Sequence, residues 1–336
     1  MEINRRRFLQ KSAVVSAALA GLPVKVLPQL ATAGQVSKPA KPRPVILATD
    51  IGDDIDDTWA LGFLLKCPEL DLKLVLTEYG KAQYRAKIIG KFLQTTGHGQ
   101  IPIGVGPNLG PQGEGPQAAW VKDYDLGAYP GKVHPDGIQA LIDTVMHSPE
   151  PVTLIVIGPM PNVAAALTRE PRLADRAQLV AMAGSVRLGY DGTAQPSAEW
   201  NVKAEIKAAQ QVLAAAWQVT ITPLDTCGLV RLDGELYRSV REATNPVAAT
   251  VIENYRIWSA GGQDPHAADS HSTTLFDTVA VYLAFTQQLC TMETLNLRVT
   301  DDGFTRVDPD GKRMQVATQW KNLDAYRNLL VQRLIA

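Results

Sequence analysis

Three cysteines in 336 residues, Cys67, Cys227 and Cys290, are too few and too scattered for a disulfide framework, and no Cys-x-x-Cys pair exists to hold zinc. At most one bridge can form, and each thiol reads as a small buried apolar group. Long apolar runs are missing too. The run at residues 13–22 falls short of the roughly 18 to 20 residues a membrane span needs, and no later run is long and apolar enough. Basic charge is not in excess: 33 Lys and Arg stand against 34 Asp and Glu, and nothing in that balance suggests a nucleic-acid surface. The chain also lacks internal repeats, low-complexity tracts, an EF-hand loop and a glycine-rich phosphate cradle.

What is present is size, pattern and one dense cluster of acids. At 336 residues and 46% hydrophobic content the chain can bury a substantial core. Its charge is uneven. The first 33 residues carry Arg5, Arg6, Arg7, Lys11 and Lys25 against Glu2, which leaves 28 basic and 33 acidic residues, or −5, for the remainder. The stretch from Asn4 to Lys11, the apolar run after it and the small-x-small site Ala31-Thr32-Ala33 read as a twin-arginine export signal over residues 1–33. A periplasmic or secreted protein is therefore expected, without membrane contact once the signal is removed.

Residues 34–44, with Pro39, Pro42 and Pro44 among Lys and Arg, read as a solvated linker to a folded unit at 45–336. Apolar strands are expected at 45–48, 72–77, 101–105, 151–157, 179–183, 218–224 and 314–320. Helical periods fall at 58–65, 84–95, 135–146, 205–216 and 323–334. This βαβα order predicts an α/β fold, an open and mostly parallel sheet with helices on both faces. Residues 106–132 form a Gly- and Pro-rich excursion whose Trp120, Tyr124 and Tyr129 suit either stacking on a flat base or packing the loop onto the domain.

The acids sit in Asp50-Ile51-Gly52-Asp53-Asp54-Ile55-Asp56-Asp57, between the first strand and the first helix. One or two Asp residues there are ordinary caps. Five in one turn repel and raise one another's pKa, so a hard cation with oxygen ligands, most simply Ca²⁺, is the natural compensator at the carboxyl end of a strand.

The segment from Thr49 to Leu61 resembles the amino-terminal signature D-T-D-P-G-x-D-D-A-x-A-L of the inosine–uridine-preferring nucleoside hydrolases. Ala48 replaces the first Asp, and two extra residues separate Asp50 from the Asp56-Asp57 pair. Three further segments follow in family order. Gly158 to Ala164 is similar to G-P-L-T-N-I-A, Ala198 to Asn201 to A-E-[FW]-N, and Phe276 to Tyr282 to H-D-P-L-A-V-A-Y. Asp225 matches the acid of the family's L-D-V-T, as a support for the site or as a cap.

The resemblance spans residues 45–290 and implies a Rossmann-like domain that hydrolyses the N-glycosidic bond of a ribonucleoside. It implies Ca²⁺ held by Asp50, Asp57, Asp277 and the Ile157 carbonyl, with Asp50 taking a proton from the attacking water. Asp56, Glu199 and Asn201 would hold the ribose, and Asp54 competes with Asp56 across the insertion. Family members are commonly oligomeric, so a homo-oligomer is one expectation.

Two departures matter. Phe276 replaces the histidine that protonates the leaving base, which points to His266 or His271, to the 106–132 excursion, or to a substrate that leaves unaided. Glu78-Tyr79-Gly80-Lys81 replaces a substrate-contacting Gly-Asn pair. These departures also admit a Ca²⁺-dependent ribose or nucleoside binding protein without turnover, or a hydrolase of another ribosyl compound.

Overall fold

The computed structural model describes residues 41–336, so the stretch read as an export signal and most of the expected linker lie outside the described residues. The described residues build one sheet of ten strands. They are β1 (Arg43–Thr49), β2 (Leu70–Thr77), β3 (Ile103–Gly104), β4 (Val133–His134), β5 (Val152–Val156), β6 (Ala177–Met182), β7 (Val219–Thr222), β8 (Cys290–Val299), β9 (Thr305–Val307) and β10 (Lys312–Trp320). Their order is β4-β3-β2-β1-β5-β6-β7-β10-β8-β9. Every neighbouring pair from β4 to β10 is parallel, whereas β8 runs antiparallel to both β10 and β9.

The apolar run of β1 explains its central place. Val45 and Leu47 enter the core on one face, Ile46 and Ala48 the core on the other, and all four are fully buried. A strand covered on both faces has no use for polar alternation. Helices Asp56–Leu65, Ala82–Thr95, Pro246–Ala260, Thr278–Phe285 and Leu323–Ile335 cover the first face. Helices Gly137–Met146, Pro161–Arg169 and Ile206–Ala214 cover the second.

The sequence-based boundaries shift in a few places. β1 starts at Arg43, two residues inside the expected linker, and β7 ends at Thr222 because Pro223 caps a short helix, Leu224–Cys227. From β1 the chain steps to β2, β3 and β4 on one side, then returns to β5 on the other side of β1. That reversal opens a crevice at the carboxyl ends of β1 and β5, where α/β sheets bind ligands. No helix among the described residues is long and apolar enough to cross a membrane.

Candidate active site

Two buried helices aim their amino ends at this crevice. Helix Asp56–Leu65 is apolar nearly all round and begins with Asp56 and Asp57, while Asp277 caps helix Thr278–Phe285, whose eight residues are all buried. Each amino end carries partial positive charge that favours carboxylates. Oxygens of Asp56, Asp57 and Asp277 come within 4.8 Å of one another, and all three side chains are buried. The Asp277 amide donates to Asp56 Oδ2 at 3.3 Å, and the Thr49 hydroxyl donates to Asp57 Oδ1 at 2.5 Å. Three buried carboxylates this close exceed what two helix ends offset, and a set made only of hard oxygens fits a divalent cation of the Ca²⁺ or Mg²⁺ kind. The cluster can thus bind a metal.

Asp50 follows Thr49 beside this triad and is itself buried. It lies flat against Gly158 at the end of β5, where a Cβ would collide with the Asp50 carboxylate. The glycine of the second motif is thus explained by close approach rather than by its φ. Asn201 spans the next gap, donating through Nδ2 to the Ile157 carbonyl at 3.2 Å and to the Met182 carbonyl at 3.1 Å. Its Oδ1 is buried and has no hydrogen-bond partner among the described residues. Glu199 caps helix Trp200–Lys203 and accepts from the amides of Asn201 at 2.7 Å and Gly184 at 2.9 Å, so it ties the short helix that carries Asn201 to the end of β6. Asp225 accepts from the amides of Val186 and Arg187, which pins the loop after β6.

The expectation that one cation offsets all five acids of the turn does not hold for Asp53. Its carboxylate is turned away and paired with Lys81 at 2.6 Å and Arg85 at 2.8 Å. Burial alone would raise the Asp53 pKa, but Arg85 and Lys81 overcome it and hold the carboxyl below its ordinary value. The fully buried Arg85 also donates to the carbonyls of Asp50, Ile51, Tyr79 and Gly80, so one guanidinium ties the acid turn to the turn after β2.

In that second turn Tyr79, Gly80 and Lys81 are all left-handed, with φ of 52°, 69° and 47°. Such strain persists only where the surroundings over-determine it. Here the same turn is held by Arg85, by the Lys81–Asp53 pair and by Glu78, which accepts from the amides of Asn162 and Val163, each at 2.9 Å. Burial pushes the Glu78 carboxyl up to about 8, against the three backbone amides that favour its charged form. The residues that replace the Gly-Asn pair therefore brace the acid turn.

Exchanging Asp53 for asparagine strands a buried guanidinium and should cost about 3 to 5 kcal/mol in urea unfolding. Because the folded pKa of Asp53 is depressed, this stabilisation is complete above the ordinary carboxylate pKa and is lost as pH falls through the folded value. A variant as stable as the wild type at pH 7 would contradict the bracing role.

Next to the acids lies a cavity of about 220 Å³ lined by Asp54 and by the rings of Tyr190, Tyr255, Trp258 and Phe276. Tyr190 meets Phe276 edge to face, with centroids 6.1 Å apart. His271 lines the cavity as well. His266 does not; its side chain is 87% exposed and lies 3.4 Å from Asp269. The aromatics of the excursion pack inward instead of facing a ligand. Trp120 and Tyr129 are buried, the Tyr129 hydroxyl donates to the Ile101 carbonyl, and none of the three lines the cavity. A source of leaving-group help in residues 106–132 thus has no support in the cavity lining.

The residues expected from the sequence, Asp50, Asp54, Asp56, Asp57, Ile157, Glu199, Asn201 and Asp277, come together at this crevice. Not apparent from the sequence were Arg85, Lys81 and the ring-lined cavity, whose Tyr190 comes from a short 3-10 turn and whose Tyr255 and Trp258 come from the distant helix Pro246–Ala260, with no local signature.

The family model described as inosine-uridine preferring nucleoside hydrolase matches residues 45–334. A non-specific ribonucleoside hydrolase, RihC, of Klebsiella pneumoniae is 27% identical over 293 residues, which cover 84% of this chain and 93% of that protein. An inosine-uridine preferring nucleoside hydrolase of Leishmania major is 31% identical over 228 residues, 63% of this chain and 70% of the relative. In fold, the chain is similar to a plant nucleoside hydrolase, the PpNRh1 enzyme, with a TM-score of 0.73 at 21% identity, over 88% of this chain and 100% of that one.

Proposed function

The chain belongs to the inosine-uridine preferring nucleoside hydrolase family, an N-glycosidase family, and on that footing we propose that it is a Ca²⁺-dependent enzyme that hydrolyses ribonucleosides to ribose and free base. The observation that carries this reading is the buried convergence of Asp56, Asp57 and Asp277 beside Asp50, at the mouth of a ring-lined cavity sized for a base.

N-glycoside cleavage passes through an oxocarbenium-like state, so the site must hold the sugar, aim a water at the anomeric carbon and take the water's proton. Asp56, Asp57 and Asp277 would hold the ion, with Asp50 and the Ile157 carbonyl beside them. When bound, Ca²⁺ supplies Lewis-acid polarisation of the water and a grip on the ribose diol. Asp50 accepts the water's proton, which its place at the end of β1 suits. Asn201 offers its unmet Oδ1 to a ribose hydroxyl, and Asp54, at the cavity wall, takes a second. Glu199 acts by holding Asn201 in place.

The test is a panel of purine and pyrimidine nucleosides, scored for ribose and free base in equal amounts. A protein that releases neither contradicts the reading. Phe276 at the place of the expected acid favours a second reading, in which the natural substrate is another ribosyl compound with a leaving group that departs unaided. The twin-arginine motif supports export as the setting, so substrates met outside the cytoplasm belong in the panel.

A further inference from the structure

Leaving-group help must come from somewhere if ordinary nucleosides are cleaved, because Phe276 has no proton to give and no dipole to donate. The cavity contains one full positive charge that the family motifs do not account for, Arg231. Its placement is built. Val230 and Leu232 on either side are fully buried, and both are tied to the loop that leads to Phe276. Leu275 donates to the Val230 carbonyl at 2.8 Å, while Ser272 and Leu232 exchange two bonds of 2.8 Å. Between these two buried neighbours the Arg231 side chain is exposed. Arg231 lines the cavity, beside Tyr190, Tyr255, Trp258 and Phe276, and its guanidinium makes no hydrogen bond or ion pair with any described residue.

We propose that Arg231 is the leaving-group residue of this site and that its forked donors select 6-oxopurine nucleosides. The proposal rests on the hydrolase reading above. A guanidinium matches the O6 and N7 acceptors of a 6-oxopurine in one bidentate contact, whereas adenine offers a donor in place of O6. As the C1′–N9 bond breaks, its electron pair passes to the purine, the water oxygen bonds to C1′ and the water's proton goes to Asp50. Arg231 stabilises the purine anion by charge-assisted hydrogen bonds until solvent protonates it. Since Arg stays charged throughout the accessible range, this help does not fade as pH rises, as help from an imidazole would.

The experiment compares wild type, Arg231→Met, Arg231→Lys and His271→Ala on inosine, adenosine and p-nitrophenyl β-D-ribofuranoside, whose nitrophenolate needs no help to leave. Arg231→Met should lose about 100-fold in kcat/KM on inosine and leave the nitrophenyl riboside unchanged. Its preference for inosine over adenosine should fall about 10-fold. Arg231→Lys, which keeps the charge but loses the fork, should recover rate on inosine without recovering the preference. An unchanged inosine to nitrophenyl riboside ratio in Arg231→Met overturns the proposal while leaving the hydrolase reading intact. So does the same pattern in His271→Ala with a rate on inosine that falls as pH rises past neutrality. A wild type that cleaves none of the three overturns both.

Discussion

Asp50→Asn is expected to lower kcat by about 10,000-fold on any substrate the wild type cleaves, the upper end of what a positioned general base contributes. The substitution is isosteric. It keeps the packing against Gly158 and the adjoining backbone, so the fold has no reason to change. It removes one buried negative charge from a turn that already crowds several buried acids. The metal-free variant should consequently melt no lower than the wild type, a sign of a group kept for function at some cost in stability. KM should move much less than kcat, because the lost interaction is made only as the water gives up its proton. A variant with wild-type kcat would remove Asp50 from the mechanism.

Asp277→Asn should lose roughly 1,000-fold or more in activity, as several kcal/mol of charge stabilisation go with the ion. Asp277 stands at the amino end of a helix that is buried along its whole length, and its amide donates to Asp56. Neutralising it relieves the crowding of the triad, so the metal-free protein should be at least as stable as the wild type. The discriminating readout is the response to Ca²⁺. A ligand that binds only the folded state raises the melting temperature as its concentration rises, and the variant should lose that rise. If Asp277→Asn keeps both activity and a Ca²⁺-dependent melting shift, the triad is not the metal site.

Much of this arrangement was readable before any coordinates because its parts are local. An apolar run closed by Asp50 is a buried strand with a loaded carboxyl end, and βαβα alternation leaves few topologies other than a parallel sheet covered on both faces. The motif residues then fall at strand ends, where the fold places ligands. What escaped were features made by distant segments. Arg85 lies on helix Ala82–Thr95 among Gln83, Lys87 and Lys91 and reads as another solvated charge; only the fold buries it under the acid turn. Asp53 and Asp56 look equivalent in the sequence, yet one turns to Arg85 and the other to Asp277. Leu224 to Cys227 follows closely on the apolar run of β7 but is a helix, since a short run cannot declare its own conformation. The strand Cys290–Val299 did carry a signal, the alternation of Leu295, Leu297 and Val299 with polar residues, which marks the half-covered antiparallel edge.

The most direct test of the account is ribose release from the best nucleoside substrate, assayed before and after a Ca²⁺ chelator and again after Ca²⁺ is restored. The account predicts that chelation abolishes release and that added Ca²⁺ returns it in full. Undiminished release in excess chelator, from protein shown to be metal-free, would contradict it.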